Sequence, residues 1–373
     1  MLKNSFRLFT INGIEVGVHY SWLIVFALVT WSLSTLELPL EPALRGIPRL
    51  ELWILGGITS ILLFASVLIH ELAHSFVAKA RGLQASSITL FIFGGVSNLA
   101  GDAKSATTEF LIAIVGPLTS FALAAVAFAV ASFVDEPRIS VVASYLFSIN
   151  LLLGIFNLIP GFPLDGGRVL RAILWGTTGS QRKATNWAAF GGKLVAYGMF
   201  GVGILMVLQG NLVGGVWLSA IAWFLHNAAS SSVEQMNFET RLSKVKAGDV
   251  VQPDEVTVAP GISVAELVDH YLLPGNRRAI PVTDNGRLVG IVTVSDVQRV
   301  PQDQRAKVAV AQVMGGRDGM VSVRADQSVQ DAVEILTERD LDQLPVLDGG
   351  RVIGLLTRGD VMRQLQLREA LDA

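Results

Sequence analysis

Four stretches of 21 residues or more in this 373-residue chain contain no Asp, Glu, Lys or Arg: 16–36, 110–134, 139–164 and 194–233. A helix needs about 20 mostly apolar residues to cross a bilayer core, where no water is present to bond a bare backbone. Runs of this kind cannot serve as surface loops. Gln209-Gly210-Asn211 is a turn signal that divides the longest run into spans near 187–208 and 212–232. One more apolar stretch, 52–70, extends to about residue 80 and carries Glu71, Lys79 and the pair His70 and His74. Six spans result, with both termini on one side. The first, Val16 to Leu36, exceeds the roughly 7–15-residue apolar core of a signal peptide and no small-residue cleavage site follows it, so it reads as a retained span.

Lys and Arg in the short loops set the orientation. Lys3, Arg7, Lys79, Arg81, Lys104, Arg168, Arg171, Arg182 and Lys183 fall on one side, against Arg45, Arg49 and Arg138 on the other. This excess puts the N-terminus, and everything after the sixth span, in the cytoplasm. Charge is also uneven along the chain. It is 16% overall, below the roughly 25% of a soluble domain, but about one position in ten over 1–236 and about one in four beyond. The reading is a membrane domain over 1–236 followed by a soluble module. A net charge of -2 and the lack of a dense basic run argue against a nucleic-acid partner. With no cysteine, disulfides, thiolate metal sites and thiol nucleophiles are excluded.

The soluble module is a repeat, 240–300 and 305–367. Ala279-Ile280-Pro281-Val282 recurs as Gln343-Leu344-Pro345-Val346, and Gly290 to Val297 recurs as Gly354 to Val361, both at an offset of 64. Val256-Thr257-Val258 and Ser263-Val264 recur at 65 as Val321-Ser322-Val323 and Ser328-Val329. Each unit reads strand, helix, strand, turn, strand, helix, with the turn at Asp284-Asn285-Gly286 or Asp348-Gly349-Gly350.

The second span contains His70-Glu71-Leu72-Ala73-His74. On a helix, positions i and i+4 share a face, so both imidazoles can reach one Zn²⁺ with Glu71 beside it as base. Histidines in a membrane can also serve as plain hydrogen-bonding groups. Three ionisable residues within five positions of one apolar helix favour function, because a carboxylate at that depth is costly. A catalytic zinc needs a third protein ligand and an open position. Asp165 is the one other carboxylate well placed in the apolar part, in Phe156-Asn157-Leu158-Ile159-Pro160-Gly161-Phe162-Pro163-Leu164-Asp165-Gly166-Gly167-Arg168. Its prolines and glycines break the helix, and a turn there either delivers Asp165 to the histidines or leaves it as a helix-end cap beside Arg168.

These two motifs in this order, with Gly116-Pro117 at the start of span three, resemble the site-2 protease family of intramembrane zinc metalloproteases over about residues 10–230. The tandem repeat resembles a CBS-domain pair. The resemblance implies a polytopic α-helical membrane protein of about six transmembrane helices with a membrane-associated β-hairpin, plus a cytosolic α/β CBS pair. It implies one Zn²⁺ per chain on His70, His74 and Asp165, Glu71 as catalytic acid/base, and Asn157 as a group that holds substrate or the oxyanion. Family members often have Gly where Ala73 stands, a small-for-small change. Implied substrates are membrane-spanning segments of membrane-tethered regulatory proteins, and the implied location is the plasma (inner) membrane of a prokaryote. For the CBS pair the resemblance implies ATP, ADP or AMP in a cleft, with Thr293, Asp296, Thr357 and Asp360 matching a Thr-x-x-Asp pattern whose Asp contacts ribose, and a route to homodimers. The rivals are a CBS-regulated transporter and a catalytically silent nucleotide-sensing scaffold.

Ile88 to Phe93, Gly94-Gly95 and Val96 to Asn98 read as a hairpin after span two. Its edge either pairs with an extended substrate or plugs the cavity mouth. Gly116-Pro117 is expected to let span three approach span two closely. His19 sits at the start of span one, while His226 and His270 read as structural.

Overall fold

Helix and strand compete for the apolar residues near the N-terminus, and the sheet takes the first of them. The computed structural model describes residues 5–92, 94–100, 103–251, 256–275, 277–316, 321–339 and 341–364. Lys3 and Phe93 lie outside these described residues. Strands β1 (Ser5–Ile11) and β2 (Ile14–His19) form a hairpin about Asn12-Gly13, whose φ values of 49° and 78° are those an Asn-Gly hairpin turn requires. Helix α1 (Tyr20–Leu40) therefore starts at Tyr20 and not at Val16, and His19 caps it by accepting from the Ser21 N–H at 3.2 Å.

Helix α2 (Arg49–Ala80) follows, then β3 (Gln84–Phe91) and β4 (Gly94–Ala100). The expected hairpin is β3 and β4, but it is half of a four-stranded sheet ordered β1-β2-β3-β4. The sheet closes through a parallel β2–β3 pairing that places Val16 opposite Ile88. Ile14, Val16, Val18, Ile88 and Leu90 are buried on it.

Helix α3 (Ala106–Phe133) is capped by Ser105, which accepts from Thr108 N–H at 3.2 Å. The helix begins before the charge-free run does, so Gly116-Pro117 falls in its interior. Helix α4 (Pro137–Asn157) stops well short of residue 164. The run 139–164 is a span plus an irregular turn, 158–164, which includes a cis Phe162–Pro163 peptide and leads into the short helix α5 (Asp165–Thr178). Helix α6 (Gln181–Leu208) buries a stripe of small residues, Ala184, Thr185, Ala188, Ala189, Gly192, Ala196 and Gly203, which lets helices come close where no hydrophobic drive operates. Helix α7 (Leu212–Ser243) runs past the end of its apolar stretch. Among the described residues, α1, α2, α3, α4, α6 and α7 are long and apolar enough to cross a membrane.

The chain divides into two compact units, Met1–Met236 and Asn237–Ala373. In the second, β5 (Ala279–Asp284), β6 (Arg287–Thr293) and β7 (Gly315–Gly316) make one sheet, and β8 (Val323–Arg324), β9 (Gln343–Asp348) and β10 (Arg351–Thr357) make another. The repeat extends to pairing: Val258 bridges Val282 in parallel as Val323 pairs with Val346. Each sheet carries its own core, Val264, Leu267, Ile280 and Val292 in one and Leu336, Leu344, Val346 and Leu356 in the other.

Candidate metal centre

His70 and His74 lie one turn apart on the buried face of α2. Their Nε2 atoms are 3.2 Å apart, and Oδ2 of Asp165 is 3.1 Å from the first and 3.2 Å from the second. Asp165 is the first residue of α5, so the irregular turn does deliver it to the histidines. Nδ1 of His74 meets the Ile112 carbonyl at 2.6 Å, and Nδ1 of His70 meets Oγ of Ser120 at 2.9 Å. A carbonyl only accepts, so His74 carries its proton on Nδ1 and turns the lone pair of Nε2 inward. Acceptor atoms crowded this closely repel unless a proton or cation sits among them. Two imidazole nitrogens and one carboxylate oxygen are a donor set that fits Zn²⁺ with a fourth position left open.

One face of α3 supports this set. Glu109, Ile112, Gly116 and Ser120 are all buried and follow at helical spacing. A Cβ on Gly116 would lie 2.7 Å from Nε2 of His70 and closer still to Nε2 of His74, so only glycine leaves room for both rings. Close packing of span three on span two thus occurs at the imidazoles themselves. Glu71 packs against β4, and its Oε2 accepts from Oγ of Ser97 at 2.8 Å. Ser75 donates to the same Ser97 oxygen at 3.4 Å. Gly95 of β4 packs on the Glu71 side chain, where a Cβ would collide with Cγ.

Sequence reasoning missed Ser97, Ser120, Glu109 and the Ile112 carbonyl. The α3 face has a legible signal, since Glu109, Ala113, Gly116 and Ser120 put a polar or small residue at every third or fourth position of a largely apolar helix. Ser97 had none, because its partner is 26 positions away on another element.

The other expected residues make contacts of their own. Asn157 ends α4, and its Nδ2 donates to Leu153 of the same helix at 3.1 Å. His19 is the α1 cap, with Ser21 Oγ 2.9 Å from its Nδ1, and Ser21 in turn accepts from the Ile92 N–H at 3.2 Å. His226 sets its ring 5.3 Å from that of Tyr197, and His270 lies in the helical segment Val268–Leu272. In the second unit, Thr293 and Asp296 form a reciprocal capping box: Thr293 N–H and Oγ1 donate to Asp296 Oδ2 at 2.9 and 2.6 Å, and Asp296 N–H returns to Thr293 Oγ1 at 3.2 Å. Thr357 and Asp360 repeat it at 3.1, 2.6 and 3.1 Å. These pairs cap helices, and one carboxylate oxygen of each Asp is committed to that task. A cavity of about 680 Å³ lies between the repeats, lined among others by Arg278, Thr293, Gln298, Arg339 and Gln343.

Helices of membrane length around two buried histidines and a partly buried Asp165 define a membrane-embedded metalloenzyme. Residues 58–137 and 135–198 match the model of Peptidase family M50, and 247–303 and 310–367 match the CBS domain. The chain is 35% identical to Rip3 of Mycobacterium tuberculosis, a zinc metalloprotease by assignment, over 98% of this chain and 94% of that one. It is 31% identical to a zinc metalloprotease of Methanocaldococcus jannaschii over 99% of this chain and 98% of that one. The chain belongs to peptidase family M50, the site-2 proteases, as a zinc metallopeptidase with a tandem CBS pair. This sets aside the transporter and the silent scaffold. A solved structure, the site-2 protease from Methanocaldococcus jannaschii, is also similar, at 34% identity over 61% of this chain and 95% of that chain with a TM-score of 0.44.

Proposed function

We propose that the chain cleaves membrane-spanning segments of membrane-tethered regulatory proteins, with His70, His74 and Asp165 holding one Zn²⁺ and Glu71 as catalytic acid/base. The observation that carries this is the convergence, within 3.2 Å, of the Asp165 carboxylate oxygen and two Nε2 atoms from the helix that also holds Glu71. Zinc held there would supply Lewis acidity toward the scissile carbonyl and a more acidic water. Glu71 would act as the base that accepts a proton from the attacking water and gives it to the leaving amine, a role worth about 10²–10⁴ in rate. Ser97 steadies the Glu71 carboxylate for this exchange, and the Ile112 carbonyl and Ser120 keep both rings from turning away. β4 is a sheet edge, so an unwound substrate segment can join it as the next strand beside Glu71. Asn157 is assigned to the substrate or the oxyanion through the second N–H of its amide, the first being given to the Leu153 carbonyl.

The CBS pair is assigned an adenine nucleotide in the cavity between the repeats. Arg278 and Arg339, which line that cavity, would face the phosphates; Asp296 and Asp360, assigned to the ribose, are not among its lining residues and would have to turn toward it. Nucleotide level, or pairing of two copies through this module, would then adjust cleavage. The Lys and Arg excess supports a cytoplasmic module, and the plasma (inner) membrane of a prokaryote is assigned as the location of the protein.

The test is cleavage of a panel of single-span substrates by purified wild type and Glu71→Gln, with zinc content measured alongside. Expected is loss of cleavage at unchanged zinc. Wild-type cleavage by the zinc-loaded variant would end the assignment.

A further inference from the structure

We propose that Arg171 is a positioning residue for the metal centre, acting through Glu109 to set the separation between Asp165 and the two imidazoles. The inference rests on the metal reading above.

Three members of the α3 stripe serve the histidines directly: the Ile112 carbonyl, Gly116 and Ser120. The fourth is Glu109. It is fully buried and grips Arg171, whose Nε and Nη2 both reach Oε1. Arg171 lies on α5, less than two turns after Asp165 and on the same rigid rod. The ion pair therefore joins the helix that orients the imidazoles to the helix that presents the third ligand.

The guanidinium has a second hold. Its Cζ is 5.3 Å from the centre of the Phe162 ring, in the turn just before Asp165. Phe162 is itself fixed, since its N–H donates to the Ala188 carbonyl of α6 at 3.0 Å. Arg171 thus grips the chain on both sides of Asp165 and ties it to α3. A lysine would supply a point charge but neither the planar fork nor the stacking face. A buried ion pair is a weak source of net stability compared with apolar packing. Its location, between the two helices that divide the ligand set, points to alignment of the ligands.

The test uses the full chain in detergent and three variants: Glu109→Gln, Arg171→Lys, and the double change Glu109→Leu with Arg171→Met. The double change removes both charges together, so neither is left buried and alone. Three quantities are read: zinc affinity by chelator competition, the visible spectrum of the Co²⁺-substituted protein, and the Tm of the metal-free protein. Expected is a roughly 10–100-fold loss of zinc affinity and an altered cobalt spectrum in Glu109→Gln and in the double variant, with a smaller loss in Arg171→Lys. Metal-free Tm in the double variant should stay close to wild type, which separates misalignment from unfolding. A His70→Ala control distinguishes the two levels of the argument. Zinc lost in His70→Ala but held within twofold, with an unchanged cobalt spectrum, in the double variant or in Glu109→Gln overturns this inference alone. Zinc held equally by His70→Ala overturns the metal reading with it.

Discussion

Gly116→Ala is the sharpest perturbation of the centre, because it adds one methyl group and removes nothing. The new Cβ would stand 2.7 Å from Nε2 of His70 and closer still to Nε2 of His74. An ordinary carbon–nitrogen contact needs roughly 3.4 Å or more, so one or both rings must move by about an ångström. Neither can do so freely, since the Nδ1 atoms are held by the Ile112 carbonyl and Ser120. Overpacking of this kind costs about 1–3 kcal/mol. Alanine's helix advantage over glycine, about 1 kcal/mol, offsets little of it, because Pro117 crowds the Cβ of the residue before it. The metal-free fold should weaken by about that amount and survive. Metal binding is less forgiving, since ligand distances hold to about 0.2 Å. Zinc affinity should therefore fall by at least about 100-fold, and cleavage with it. Chelator competition measures the zinc affinity, and the Tm of the metal-free protein measures the stability of its fold. A Gly116→Ala protein with zinc affinity within threefold of wild type would refute the claim that the rings abut this glycine.

Three further outcomes follow from the same geometry. Ser97→Ala removes the hydroxyl that donates to Glu71 and, at about 1.5–3 kcal/mol for a bond to a charged group, should slow cleavage about 10–100-fold with zinc content unchanged; an unaltered rate would remove Ser97 from the site. Leu344→Ala empties a fully buried position in the second CBS core and should cost that unit about 2–5 kcal/mol, read as a lower melting transition for it while zinc is retained. Arg339→Ala should weaken ATP binding by the full chain several-fold, measured calorimetrically, whereas Asp296→Asn should both weaken it and lower the melting point by loosening a helix cap; no heat from ATP, ADP or AMP with wild type would remove the nucleotide assignment.

What the sequence disclosed follows from which interactions are local. The spans are legible because a bilayer excludes charge over a continuous run, and the His70/His74 pair is legible because one helix sets its spacing. Even the first hairpin was legible in principle, since Ile11-Asn12-Gly13-Ile14 carries the Asn-Gly turn signal, but the apolar β2 merges into the run that becomes α1. The ends of the run 139–164 were misplaced for a related reason. Hydrophobicity continues through 158–164 although the backbone there no longer can stay helical past Pro160 and Pro163. The support around the ligands is of another kind. Ser120 finds His70 50 positions away, Ile112 finds His74 at 38, and Arg171 finds Glu109 at 62. None of these pairings is encoded by a neighbour, so each needs the packed bundle to appear. Yet the four residues that do the supporting share one face of α3, and on a helix destined for lipid a repeated polar or small position must find a partner inside the protein. A buried stripe of that kind, read beside a ligand motif on another span, marks which helix will orient the ligands before any contact is known.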